Sequence, residues 1–190
     1  MKTMLALVAA LAFSLSAPAL AQNSPPEAKV LRTPDVGYVP TPQPVVEAML
    51  KLAEVNENDV LYDLGSGDGR IPITAAKLHG IRAVGIDIDS ARISEANENA
   101  EKAGVQDLVS FRQEDLFKSD FSEATVVTLY LLEGLNQKLR PKLLSDLKPG
   151  TRVVSHAFSM GPWKPEKTQN IDGSHIFLWT IPERPGEPAN

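Results

Sequence analysis

The chain has 190 residues, enough to bury one substantial core and too few for two. Its formal net charge of -5 argues against a nucleic-acid footprint, which needs clustered Lys and Arg, so no nucleic-acid partner is expected. The absence of cysteine excludes disulfides, thiolate metal sites and a cysteine nucleophile; the three histidines, His79, His156 and His175, show no ligand spacing, so no metal is expected.

Met1-Lys2 is a short basic start, Met4 to Ser16 is an apolar run, and Ala19-Leu20-Ala21 before Gln22 is a small-x-small triplet, the pattern of a secretory signal peptide over 1–21. The rival reading is an uncleaved membrane anchor, because Met4 to Ala21 approaches spanning length; Pro18 and the triplet favour cleavage. On either reading Lys2 keeps the amino end inside, so the domain is expected to be exported, with a bacterial periplasmic location. Residues 22–36 are polar with Pro25, Pro26 and Pro34, and read as an extended linker. The domain is expected over 37–182. It opens with a helix that Thr41 can cap, with Pro42 in its first turn and Val45, Val46, Met49, Leu52 and Ala53 on its apolar face.

Val60-Leu-Tyr-Asp-Leu-Gly-Ser-Gly-Asp-Gly-Arg70 reads as a buried strand emptying into a glycine loop that opens a helix. Gly65, Gly67 and Gly69 allow a turn closed to other residues and remove Cβ atoms that would hold a ligand away. A dinucleotide fingerprint would need a further glycine at position 70, where this chain has Arg. The loop therefore resembles the S-adenosylmethionine loop of Rossmann-like (class I) methyltransferases. Plain turns also use glycine clusters, so the loop is only one part of the case.

The next helix is expected from about Pro72 to His79, with Gly80 as its cap. Arg82 to Asp87 is a second strand whose terminal Asp87 can accept from both ribose hydroxyls; as an alternative, Asp87 is a turn former. A helix from Asp89 or Ser90 to Gly104 should bury Ile93, Ala96, Ala100 and Ala103. A third strand, Leu108 to Gln113, runs into Glu114-Asp115. Asp63, Asp87 and Asp115, at three successive strand ends, suit a cationic sulfonium ligand. Strand four is expected over Ala124 to Leu132. A helix with Leu139, Leu143, Leu144 and Leu147 follows, interrupted or restarted at Pro141, then a strand from Thr151 to Ala157 and a last one from His175 to Ile181. Alternating strands and helices require a parallel sheet with right-handed crossovers. Residues 183–190 read as a disordered tail.

Tyr38-Val-Pro-Thr-Pro42, Asp63-Leu-Gly-Ser-Gly-Asp-Gly-Arg-Ile71, Thr128-Leu-Tyr-Leu-Leu132, Leu147 to His156 and Ile176 to Pro182 resemble the bacterial relatives of the mitochondrial lysine methyltransferases that modify the adenine nucleotide translocase and the ATP synthase c-subunit. The similarity runs from about Gly37 to Pro182. It implies an α/β, Rossmann-like, doubly wound sheet of seven mostly parallel strands with one antiparallel strand near the carboxyl terminus. It also implies S-adenosyl-L-methionine as cofactor, held by Tyr38, Asp63, Gly65, Gly67, Gly69, Asp87 and Asp115, with Asp115 accepting from the adenine amine. The implied partner is an acceptor protein presenting a lysine, or alternatively a small molecule, with membrane contact only if the leading segment is uncleaved. A monomer is expected. A secreted, catalytically silent binding module is the alternative outside the enzymes.

A protonated lysine has no lone pair, and neutralising it at pH 7 costs about 5 kcal/mol, so a lysine-modifying site needs desolvation and oxygen acceptors. Tyr130, at the end of strand four, is the leading catalytic candidate, and Glu133 can attract the cationic lysine. His156 reads as a hydrogen-bonded strand-end residue rather than a base. Leu131-Leu132-Glu133-Gly134 stands where several amide and adenine methyltransferases carry an Asn/Asp-Pro-Pro-aromatic motif, which counts against base methylation.

Overall fold

A computed structural model describes residue 31 and residues 33–184. The signal-peptide expectation, residues 22–30 and 32 of the linker, and residues 185–190 of the tail lie outside the described residues. The elements in chain order are α1 (Gln43–Leu52), β1 (Val60–Leu64), α2 (Arg70–His79), β2 (Arg82–Asp87), α3 (Ser90–Ala103), β3 (Val109–Gln113), β4 (Val126–Leu129), α4 (Glu133–Asp146), β5 (Arg152–His156), β6 (Lys167–Ile171) and β7 (Ser174–Thr180).

One seven-stranded sheet has the order β3-β2-β1-β4-β5-β7-β6, parallel throughout except for β7, which runs antiparallel to both of its neighbours. This is the doubly wound sheet that the sequence suggests. The strands alternate between two cores. Leu61, Ala83, Val126 and Val154 face α1, α2 and α3, while Tyr62, Val84, Val127 and Val153 face α4 and Phe121. Strand order reverses between β1 and β4, so their carboxyl ends diverge and open the crevice in which such sheets bind ligands. Among the described residues no helix is long and apolar enough to cross a membrane.

Several boundaries differ from expectation for local reasons. Thr41 does not cap α1: Pro42 occupies the N-cap position without a side-chain bond, Pro44 stands in the first turn, and the Thr41 hydroxyl faces His156 instead. Helix α2 starts at Arg70, before Pro72, because Gly69 turns left-handed (φ 79°) immediately ahead of it and the first-turn N–H that proline lacks would be unpaired anyway. Helix α4 runs unbroken through Pro141, held by buried Leu139 and Leu143. In α3 only Ala96 and Ala100 are fully buried, whereas Ile93 and Ala103 are partly covered. Strand β4 ends at Leu129, since Leu132 already caps α4. Strand β6 has no apolar alternation and is not among the expected elements. Its signal is the two-residue turn Asp172-Gly173 (φ 50° and 89°) that joins it to β7, the strongest short-range mark of a hairpin.

Candidate active site

A cavity of about 420 Å³ lies over the carboxyl ends of β1, β2 and β4, within the range of small-ligand sites. Its roof is the segment from Thr33 to Thr41, all nine residues of which line it. Thr33 to Val36 read as linker by composition, yet they share the wall with Gly37 to Thr41.

The glycine loop forms the floor, with the Gly65 and Ser66 amides donating to the Ile86 carbonyl at 2.8 and 3.0 Å. Of the three loop glycines only Gly65 lines the cavity. A Cβ on Gly67 would collide with the Tyr38 ring, and one on Gly69 would meet Phe111 Cζ at 2.5 Å. Their missing side chains therefore make room for these two protein rings, and both glycines take the left-handed backbone (φ 52° and 79°) that the motif requires.

Asp87, at the end of β2, lines the cavity and accepts from the Gly67 amide at 2.9 Å and from the Asp89 amide at 2.9 Å. Each oxygen keeps a second lone pair, so two hydroxyls of a ligand can still donate to it. Asp63, at the end of β1, is fully buried and accepts a 2.8 Å bond from the Thr128 hydroxyl. Burial, opposed by that bond and assisted by Asp87 and Asp68, pushes its carboxyl up to about 7. Among the described residues it forms no ion pair.

Sequence reading missed the role of Arg70. Its Nε and Nη2 grip Asp68 at 2.9 and 2.6 Å, and its Nη1 donates to the Thr41 carbonyl at 2.9 Å, which pins the roof to the loop. Burial alone would raise the Asp68 pKa, but the Arg70 bonds outweigh it and hold the carboxyl below the ordinary range. Tyr38 adjoins this group, its phenol pKa raised by burial and by the neighbouring Asp68 carboxylate, and Arg92 lies 4.8 Å above its ring. The non-glycine at position 70 and the acid two residues before it were the available signal.

The remaining candidates divide. Glu114 and Leu116 line the cavity, whereas Asp115 lines a shallow neighbouring depression and its carboxylate accepts from the Phe117 amide at 3.1 Å. Tyr130 lines the cavity beside Leu131. Its ring lies 4.0 Å from that of His156 and 6.3 Å from that of Phe158. Glu133 does not line the cavity; it accepts a 2.9 Å bond from the Ser159 hydroxyl on the exposed start of α4. Among the described residues no group of three His, Asp or Glu could hold a metal ion.

The ANTKMT methyltransferase domain model matches residues 63–167. A protein-lysine N-methyltransferase of Saccharolobus islandicus (strain REY15A) is 48% identical over 155 residues, covering 79% of this chain and 96% of that protein. The chain belongs to the ANTKMT methyltransferase family. The ATP synthase c-subunit lysine N-methyltransferase of Rattus norvegicus is 32% identical over 148 residues, covering 78% of this chain and 68% of that protein. A crystal structure described as an RNA methyltransferase from Salinibacter ruber in complex with S-adenosyl-L-homocysteine is 60% identical with a TM-score of 0.76, covering 80% of this chain and 99% of that one. This family member is an S-adenosylmethionine-dependent methyltransferase. Its cavity suits that cofactor on its own terms: Asp87 retains acceptor lone pairs that ribose hydroxyls could use, and Asp63 is a buried acid that forms no ion pair among the described residues and could answer an amino or sulfonium group.

Proposed function

We propose that this methyltransferase modifies a lysine side chain of a protein acceptor. The observation that carries this reading is the wall of the cavity. Asp35, Asp63, Asp68, Asp87, Asp89 and Glu114 line it against Arg70 and Arg92, and each arginine is paired, with Asp68 and with Glu95 at 2.5 Å. Such a wall attracts a cationic amine and repels phosphate. The names of the archaeal and rat relatives agree, since both are lysine methyltransferases.

S-adenosylmethionine supplies an electrophilic methyl group on a sulfonium. Asp87 would hold its ribose, Gly65 and Ser66 would lie under it, Tyr38 would cover it, and Asp63 would answer its positive charge. Ile88 and Leu116 would offer apolar walls to the adenine, and Glu114, or Asp115 from the neighbouring depression, would accept from its amine. The protein's share of the chemistry is alignment and exclusion of water. The Tyr130 hydroxyl can accept from the acceptor amine and hold its lone pair in line. Glu133, on the outside, attracts the lysine before its proton leaves. Residues 1–21 are proposed to export the domain to a bacterial periplasm or to anchor it in the membrane. Mass spectrometry showing Gln22 as the amino terminus supports cleavage, and an unprocessed soluble chain refutes both.

The test of the acceptor is incubation with methyl-labelled cofactor and separate protein, RNA and metabolite fractions of the source. Label should enter protein as methyllysine, faster as pH rises and frees the amine. Tyr130→Phe should lower turnover about tenfold or more with little change in cofactor affinity. Label in RNA or in a small metabolite instead would overturn the lysine reading.

A further inference from the structure

We propose that His156, which lies outside the cavity, is a positioning residue for methyl transfer: it seats Tyr130 and, through Thr41, locks the roof to the acceptor side of the site. The inference rests on the reading of Tyr130 as the residue that orients the acceptor amine.

His156 ends β5 and is 3% exposed. Burial holds its pKa below the ordinary histidine value, so at neutral pH the ring is uncharged and offers one donor and one acceptor nitrogen. Its Nδ1 lies 3.2 Å from the Thr41 hydroxyl, which is itself buried and belongs to the roof. The face of the same ring packs on Tyr130 at 4.0 Å with 34° between the planes.

The chain beyond His156 is built to complete this seat. Ala157 takes a left-handed conformation (φ 63°) that a side chain disfavours, and the turn carries Phe158 to the Tyr130 ring. The turn is held by the Phe158 amide on the His156 carbonyl at 2.8 Å, by the Ala157 amide on the His175 carbonyl at 2.8 Å, and by Ser155 Oγ and Asn136 Nδ2 on the Phe158 carbonyl at 2.7 and 3.1 Å. Tyr130 thus rests against two rings whose backbone is fixed by four hydrogen bonds.

Two of the roof's fastenings meet at Thr41. Arg70 ties the Thr41 carbonyl to the glycine loop on the cofactor side, and His156 ties the Thr41 hydroxyl to β5 on the acceptor side. Removing the second leaves the first in place. The acceptor geometry should then loosen while cofactor binding stays.

The experiment uses the purified chain, methyl-labelled S-adenosylmethionine, and total protein of the source as acceptor. Thr41→Val removes the hydroxyl at constant shape, Thr41→Ser keeps it, and His156→Phe keeps the ring without the nitrogen. Thr41→Val and His156→Phe should each lower kcat about tenfold with cofactor Kd changed less than twofold, the double variant should be no worse than either single one, and Thr41→Ser should restore most of the rate. In NMR spectra of the imidazole nitrogens, the His156 signals should move in Thr41→Val and not in Thr41→Ser. Wild-type kcat in Thr41→Val, parallel losses of kcat and cofactor affinity, or additive effects in the double variant would overturn the proposal. Should His156→Phe fail to fold, the Thr41 pair alone decides it. A slow Tyr130→Phe beside a normal Thr41→Val sinks this inference and spares the reading of Tyr130; a normal Tyr130→Phe sinks that reading itself.

Discussion

Asp59 and Asp63 stand four residues apart at opposite ends of β1, both buried, and the protein treats them in opposite ways. At the amino end Asp59 is saturated: Thr125 Oγ1 donates at 2.6 Å and Arg152 Nη2 to one oxygen, and the Asn56 amide and Nδ2 donate to the other at 2.9 and 3.1 Å. Arg152 in turn caps the carbonyl of Ala53 at 2.7 Å and that of Glu54 at 3.1 Å, joining the end of α1 to β5. At the carboxyl end Asp63 has Thr128 and no cation among the described residues. A buried acid with every acceptor filled fastens the fold, whereas one with acceptors unused beside a cavity awaits a ligand.

The largest effect should come from breaking the saturated end. Arg152→Ala strands a buried carboxylate, and stability measured in urea should fall by about 3–5 kcal/mol. Cofactor affinity per folded molecule should stay as it was. Loss of binding without loss of stability would show that the two ends are not separable.

At the other end the charge itself is the burden. The folded-state pKa of Asp63, about 7, lies above its unfolded value, so between roughly pH 4 and pH 7 the folded state holds the extra proton. Stability of the ligand-free protein should therefore be greatest at the acidic side of that window and decline as pH rises through it, by about 2 to 4 kcal/mol in this group's contribution. Asp63→Asn keeps an acceptor for Thr128 and should flatten this part of the profile. A pH profile identical to wild type would mean that the buried carboxyl titrates normally.

Asp87 is intermediate, since both oxygens already serve the backbone and still face the cavity. Asp87→Ala should weaken S-adenosylmethionine binding by roughly 1.5 to 3 kcal/mol in calorimetry, through lost ribose bonds and a loosened Gly67 amide. An unchanged dissociation constant in a folded variant would place the ribose elsewhere.

Much of this arrangement is local in origin and so was readable in the chain. Apolar runs closed by Asp63 and Asp87, glycines at 65, 67 and 69, and Gly80 and Gly104 behind two helices are chemistry of neighbouring residues, and they determined the parallel sheet and the end at which the cavity opens. Only the tertiary structure decided what fills the space those glycines leave, because Tyr38 and Phe111 reach Gly67 and Gly69 from far along the chain. The same holds for Thr41, which reads as a helix cap by its neighbours and instead meets His156 across 115 positions, and for Glu133, whose carboxylate meets the Ser159 hydroxyl 26 positions on. Spacing along a chain sets which backbone a residue adopts. Which partner its side chain finds depends on packing between elements, and that information is shared among residues that no local pattern connects.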